Sequence, residues 1–222
     1  MEERMHESSL ERREFLPAAG HDWLLPLYDP FSKLLGATAA HRQLLAQAKI
    51  TQGQRVLEVG CGTGNLTLLV KQRHPDVEVV GLDPDAKALR RAQSKARRQR
   101  LDVRFEQGFA DALTDADASY DCVLSAFMFH HLKRAEKAAT LRDIRRVLKP
   151  GGRLHVLDFA AADEHVHGGL ARLFHRHEDP TDTPEPTLVE LMREAGFAAA
   201  AEIVRRHNFV SRVAYHRGVS VG

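Results

Sequence analysis

Cysteine is scarce in this chain: of 222 residues only Cys61 and Cys122 carry a thiol. Both sit in apolar, strand-like surroundings, which argues against a disulfide framework and for a reducing compartment, the cytoplasm. Long hydrophobic runs are missing too. No stretch approaches the roughly 20 apolar residues that span a bilayer. The opening "MEERMHESSLERREF" is charged throughout and has no apolar core of a secretory signal, so none is expected. Neither sign of charge dominates: 32 lysines and arginines face 30 aspartates and glutamates, and a formal net charge of +2 neither demands nor excludes an acidic partner. Internal repeats and linker-like stretches are absent as well. What these absences leave is a chain of one-domain size, 43% hydrophobic, with enough apolar residues for a full core.

The chain does carry a rhythm. From Gln54 onward, short apolar strands alternate with helices. "RVLEV" reads as a buried strand, followed by a glycine-rich loop and a helix over about 65–74. "VEVVGLD" is a second strand with a helix over 84–100, and "VRFEQ" a third strand. "YDCVLSAF" is a fourth, with a helix over about 133–148, and "KPGG" a turn into the fifth, "RLHVLDF". The pattern predicts a doubly wound, mostly parallel α/β sheet of the Rossmann-like kind, built by right-handed crossovers with helices on both faces. "TLVELMREAGF" predicts one more helix, ended by Gly196, and "AAAEIVRRH" and "FVSRVAYHR" two last strands at an antiparallel edge, which makes seven.

The flanks read differently. Residues 1–16 read as a mobile or loosely docked helix, given their charge and the Pro17 that follows. "HDWLLPLYDPFSKLL" crowds Trp23, Leu24, Leu25, Leu27, Tyr28 and Phe31 around Pro26 and Pro30, which predicts short helical pieces. Residues 37–49 follow as a helix with Leu44, Leu45 and Ala48 inward. The chain thus divides into an N-terminal helical segment, 1–49, and a domain over 50–222. Within that domain the His-, Asp- and Pro-rich stretch 160–187, with a short helix around 170–175, is an insertion.

The loop Gly60-Cys61-Gly62-Thr63-Gly64-Asn65 is informative through what it lacks. A dinucleotide turn reads G-x-G-x-x-G, and its third glycine lets helix and strand pack closely beside a pyrophosphate. Asn65 occupies that place. A P-loop needs Gly-Lys-Ser/Thr, which is also absent. The remaining pattern, E-x-G-x-G-x-G with Glu58 in the strand, resembles motif I of the class I S-adenosylmethionine-dependent methyltransferases. Such glycines let the backbone approach a ligand, and amides opening the next helix can face a carboxylate. In that family the strand acid answers the ligand's ammonium group, whereas it would repel a pyrophosphate. The plainer reading is a tight turn with no ligand. Against it stand "GLDPD", with Asp83 closing the second strand, "YDCVLSAFMFHHL" and "VLKPGGRLHVLDF". The likeness covers about residues 50–160.

The resemblance implies S-adenosylmethionine as cofactor and S-adenosylhomocysteine as product. It assigns the cofactor to Glu58, Gly60, Cys61, Gly62, Gly64 and Asn65, to Asp83 with Pro84 at the ribose hydroxyls, and to Ser125 at the end of the fourth strand. Where the family commonly reads Gly-Asp-Ala after the third strand, this chain has Gly108-Phe109-Ala110-Asp111. Phe109 cannot accept the adenine amino group's hydrogen bond. Asp111 or a backbone carbonyl must replace it, with Phe109 and Ala110 packed near the base.

The loop after the fourth strand, "SAFMFHHL", lies beside the methyl donor by the rule that ligands sit beyond the carboxyl ends of parallel strands. It lacks the Asn/Asp-Pro-Pro-Tyr/Phe tetrapeptide of family members that methylate DNA amines or protein glutamine. "MFHHL" and "LYDPFSKLL" instead resemble the ubiquinone/menaquinone C-methyltransferase group and its small-molecule relatives. That likeness makes the N-terminal segment a lid and places Tyr28 near the cofactor. His130 and His131 are the candidate catalytic bases, because a phenol or carbon acceptor must lose a proton; the plainer role is capping the next helix. His165, His167, His175 and His177 form two His-x-His pairs, but an i,i+2 spacing on a helix points side chains to nearly opposite faces. No metal is expected; these histidines belong to a substrate cap or the surface. The basic helix "AKALRRAQSKARRQR" keeps Ala88, Leu89, Ala92 and Ala96 inward and its charges on a solvated face. Without aromatics or an appended domain it does not argue for nucleic acid.

The sequence therefore leads to a methyltransferase acting on a small hydrophobic or aromatic molecule (quinone, phenol or lipid-like), a monomer or homodimer without stable membrane insertion, though peripheral contact is open. Two alternatives stand beside it. One is a non-catalytic S-adenosylmethionine-binding module, suggested by Phe109; the other is a nucleic-acid methyltransferase, suggested by the basic helix.

Overall fold

The alternation of apolar strands and amphipathic helices builds an open α/β sheet. In a computed structural model, described over residues 37–160, 186–207 and 212–221, helix α1 (Ala37–Ala48) precedes β1 (Arg55–Val59), α2 (Asn65–Arg73), β2 (Glu78–Asp83) and α3 (Ala86–Gln99). Then come β3 (Arg104–Gln107), β4 (Tyr120–Ala126), a one-turn 3₁₀ helix (Phe129–His131), α4 (Arg134–Val147) and β5 (Leu148–Phe159). Helix α5 (Leu188–Glu194), β6 (Phe197–His207) and β7 (Arg212–Ser220) complete it.

Among the described residues, seven strands lie in the order β3-β2-β1-β4-β5-β7-β6. Strands β1 to β5 are parallel, β7 runs antiparallel to β5, and β6 antiparallel to β7. The chain winds outward from β1 through β2 to β3 and then returns to the other side of β1 at β4. Between β1 and β4 the winding therefore reverses, and the carboxyl ends of strands at such a point frame a crevice.

Two cores hold the sheet. Alternation along β1 sends Leu57 into one, with Val123, Leu154 and Val156 against Leu141, Ile144 and Val147 of α4 and Met192 of α5. It sends Val56 into the other, with Leu124 and Leu157 against Leu44 and Ala48 of α1 and Leu66 and Val70 of α2. Leucines buried this fully are worth about 1.5–3 kcal/mol each relative to exposure. The Tyr215 hydroxyl donates to the Ala40 carbonyl at 3.3 Å, which fixes α1 to the antiparallel edge. Both cysteines are buried and free.

Two boundaries that shape the site differ from the sequence reading. Helix α3 begins at Ala86 rather than at 84, because Asp85 is its N-cap and accepts from the amides of Lys87 (2.8 Å) and Ala88 (3.2 Å). Strand β5 reaches back to Leu148 through the "KPGG" segment: the register jumps from Tyr120↔Leu148 to Cys122↔Arg153. Gly151, at φ 78, lets those residues bulge out and rejoin the ladder. The last strand is described from Arg212; residues 208–211, where the sequence reading starts it, lie outside the described residues. Tyr28, the N-terminal lid as far as residue 36, and residues 161–185 with their four histidines lie outside the described residues.

Candidate active site

The carboxyl ends of β1, β2, β4 and β5 carry the candidate site. At the end of β1 the amides of Gly60 and Cys61 both donate to the Leu82 carbonyl, at 2.8 and 3.0 Å, and draw the loop across β2. Gly60 (φ 72) and Gly64 (φ 75) are left-handed, a region costly to other residues. Space is short as well. A Cβ on Gly60 would lie 2.4 Å from Met128 Cγ, and one on Gly64 2.9 Å from Ala92 Cβ. The Leu68 amide then donates to Gly64 O at 3.0 Å as α2 opens, with its positive dipole end on the loop.

Two acids face this loop from neighbouring strands, brought together by the register Glu58↔Gly81. Glu58 is 3% exposed and accepts the Thr67 hydroxyl. Burial pushes its pKa up to about 8, against the hydrogen bonds from the Thr67 side chain and amide. Asp83 accepts from the Gly62 amide at 2.7 Å through Oδ2 and from the Asp85 amide at 2.9 Å through Oδ1. Burial raises it to about 6, and those two amides oppose the rise. Each carboxylate oxygen can accept more than one hydrogen bond, so Asp83 keeps capacity for hydroxyl donors. Two further polar atoms here, the Ser125 hydroxyl and Asp85 Oδ2, are buried with no hydrogen-bond partner among the described residues.

Beyond β3, Gly108 donates to the Asp83 carbonyl at 3.2 Å, and the Ala112 amide to the Phe109 carbonyl at 3.1 Å. Phe109, Ala110 and Asp111 thus share one tight turn, all half-buried, at the edge of the same crevice.

The exit of β4 is strained. Phe127 has φ 57, uncommon for a bulky residue. Its amide donates to the Leu157 carbonyl at 2.8 Å, and the turn sets Met128 over Gly60 and plugs Phe129 into the core. The 3₁₀ helix that follows presents His130 and His131. Asp158, on β5, holds the first of them in two ways: Oδ2 accepts the His130 amide at 3.0 Å and Oδ1 lies 2.7 Å from His130 Nδ1. Oδ1 also accepts the Phe159 amide at 2.8 Å. With a carboxylate on Nδ1, that nitrogen carries the proton, and Nε2, which has no hydrogen bond among the described residues, presents its lone pair.

The rings beside this pair form a wall. Phe127 and Phe159 have centroids 5.2 Å apart, and Phe159 meets His130 edge-on at 4.8 Å. His41 of α1 lies 6.0 Å from Phe127, and burial lowers its pKa to about 4, which keeps it neutral. His131 is exposed, yet the protein packed on its inner side and the neighbouring His130, its ring centroid 3.9 Å away, lower its pKa to about 4.

The sequence reading missed Asp158, although it lies in the quoted segment "RLHVLDF". Its signal was an acid at the end of a strand adjacent to the one that delivers the histidines. Among the described residues no group of three or more His, Cys, Asp or Glu side chains could hold a metal ion. Nor is any helix among them long and apolar enough to cross a membrane.

A methyltransferase-domain family matches residues 56–152. A demethylmenaquinone methyltransferase of Deinococcus radiodurans is 33% identical over 198 residues, 78% of this chain and 81% of that protein. Its namesake in Thermus thermophilus is 37% identical over 154 residues, 68% of this chain and 69% of that protein. The crystal structure of the YcgJ protein from Bacillus subtilis shares the fold, with a TM-score of 0.67 at 21% identity, over 83% of this chain and 99% of that one.

Proposed function

The chain belongs to the class I S-adenosylmethionine-dependent methyltransferases, and from that premise we propose that its methyl acceptor is a small aromatic molecule of the quinol or phenol kind. The observation that carries this reading is the row of aromatic rings formed by Phe127, Phe159 and His130, with Asp158 paired to the histidine. The name shared by the two relatives, demethylmenaquinone methyltransferase, points to the same acceptor class.

The residues present suit the cofactor. Glu58 is a buried acid for an ammonium group, Asp83 an acceptor for ribose hydroxyls, and the glycine loop a cradle that a side chain at Gly60 would fill. The unpartnered Ser125 hydroxyl and Asp85 Oδ2 are polar atoms that a polar ligand can satisfy. Asp111 stands in for the adenine contact that Phe109 cannot make. Bound S-adenosylmethionine supplies a methyl group on a sulfonium, open to in-line displacement.

The chain's own residues then align and deprotonate. The Phe127–Phe159 wall holds a flat ring by stacking, worth about 0.5–1.5 kcal/mol per aromatic pair beyond area burial. His130 Nε2 takes the proton of the acceptor as its nucleophilic atom gains the methyl group, and Asp158 stabilises the resulting imidazolium through Nδ1–H. His131, whose pKa is lowered to about 4, is a poor base at neutral pH. Methyl transfer from a sulfonium owes much of its rate to alignment. A positioned base contributes typically ~10²–10⁴-fold. The enzyme works on the free small molecule rather than on nucleic acid, in the cytoplasm.

The test is a product screen with isotopically labelled S-adenosylmethionine against reduced naphthoquinones, benzoquinols, phenols, amines and lipids. Label on a ring acceptor is expected. Label only on aliphatic amines or phospho-amines would overturn the acceptor class while leaving the methyltransferase assignment in place.

A further inference from the structure

Helix α3 carries six lysines and arginines and no acid. Most lie on its outer face, but one does not. Lys95 flanks the buried stripe of Ala88, Leu89, Ala92 and Ala96, and runs inward to the glycine loop. Its Nζ donates to Thr63 Oγ1 at 3.1 Å and to Asn65 Oδ1 at 2.8 Å. Thr63 is 2% exposed, and Asn65 is the first residue of α2. A single ammonium thus ties the helix after β2 to both sides of Gly64, where the loop becomes a helix.

We propose that Lys95 is a positioning residue for the methyl donor: it pins Thr63 and Asn65 so that the loop keeps its ligand-bearing shape, and it sets a positive charge beside the donor's carboxylate. This rests on the reading that the glycine loop holds S-adenosylmethionine. Glu58 is buried against the same loop, and the Lys95 charge favours its ionised form as well as attracting an anionic group. The arrangement also gives Asn65 a use. A glycine at that place, as in a dinucleotide turn, has no side-chain oxygen to offer the lysine.

The experiment is calorimetric binding of S-adenosylhomocysteine to the full chain, with steady-state kinetics and melting of the ligand-free protein, for Lys95→Met, Asn65→Ala and the double variant. Lys95→Met keeps the aliphatic stem and removes the charge. Its Kd should rise about tenfold or more, as for loss of a charged hydrogen bond. The KM for the donor should rise with it, while kcat at saturating donor stays within about twofold. The double variant should be little worse than Lys95→Met alone, since the two share one contact. Unchanged affinity in Lys95→Met would overturn the proposal. So would a loss of kcat and melting temperature without a specific loss of donor affinity, which is the mark of a purely structural lysine. Should Lys95→Met not fold, Asn65→Ala alone must still weaken binding. A wild-type protein that binds no S-adenosylhomocysteine would overturn the cofactor reading, and this proposal with it.

Discussion

Replacing Asp158 by Asn probes the acid–base pair with little change of shape. The carboxylate accepts three N–H donors: the His130 amide on Oδ2, and His130 Nδ1 and the Phe159 amide on Oδ1. An asparagine has one acceptor oxygen, so either orientation sets an NH₂ group against a donor. With oxygen toward His130 Nδ1, the tautomer survives but the imidazolium formed in the reaction loses its anionic partner, and the backbone amide of His130 loses its acceptor. With oxygen toward that amide, Nδ1 becomes the acceptor, the ring proton moves to Nε2, and the base is lost. A lost hydrogen bond to a charged group costs about 1.5–3 kcal/mol. At about 2–4 °C per kcal/mol for a chain this long, melting should fall by roughly 3–12 °C. The larger effect should be on rate: kcat lower by ~10²–10⁴, the span of general-base contributions, with S-adenosylhomocysteine affinity unchanged because Asp158 lies away from the glycine loop. Initial rates at saturating donor and acceptor, together with calorimetry, measure both. A folded Asp158→Asn variant whose kcat stays within about threefold of wild type would refute this argument.

Other outcomes follow from the same site. Glu58 is raised from 4.5 to about 8, so between those values the native protein binds a proton that the unfolded chain releases. Stability of the ligand-free protein should therefore fall as pH rises through that window, and the melting shift given by S-adenosylmethionine should be larger at about pH 8 than at about pH 6. Gly60→Ala combines a φ of 72 with a Cβ 2.4 Å from Met128 Cγ. It should cost at least about 1–2 kcal/mol in stability and most of the donor affinity, read by melting and calorimetry. His131→Ala should leave kcat within about threefold if His130 is the base, which a single set of initial rates decides.

Much of this was legible beforehand, for identifiable reasons. Strand "RVLEV" and helix α2 match the sequence reading closely because a buried parallel strand is apolar on both faces and the glycines punctuate its end. The antiparallel edge followed from two β-rich segments joined by a short connection. What was not legible depends on tertiary geometry. The reach of β5 back through "KPGG" requires the partner strand's register, which no local pattern encodes. Asp158 reads as one more residue of a strand until β4 and β5 align, and only then does its carboxylate meet His130. Lys95 reads as part of a solvated basic run, since its spacing does not reveal that a long flexible side chain turns inward to Asn65. The glycine pattern could name the ligand-binding loop, but not the residues that stiffen it.

The most direct measurement presents the wild-type protein and a His130→Ala variant with labelled S-adenosylmethionine and a short-chain reduced naphthoquinone under anaerobic conditions, followed by mass spectrometry of the ring product. The account predicts a singly methylated ring from the wild type and a rate lower by ~10² or more from His130→Ala, with equal S-adenosylhomocysteine affinity in the two proteins. Equal rates would contradict the role given to His130, and a wild-type protein that binds the cofactor yet methylates no ring would contradict the proposed function itself.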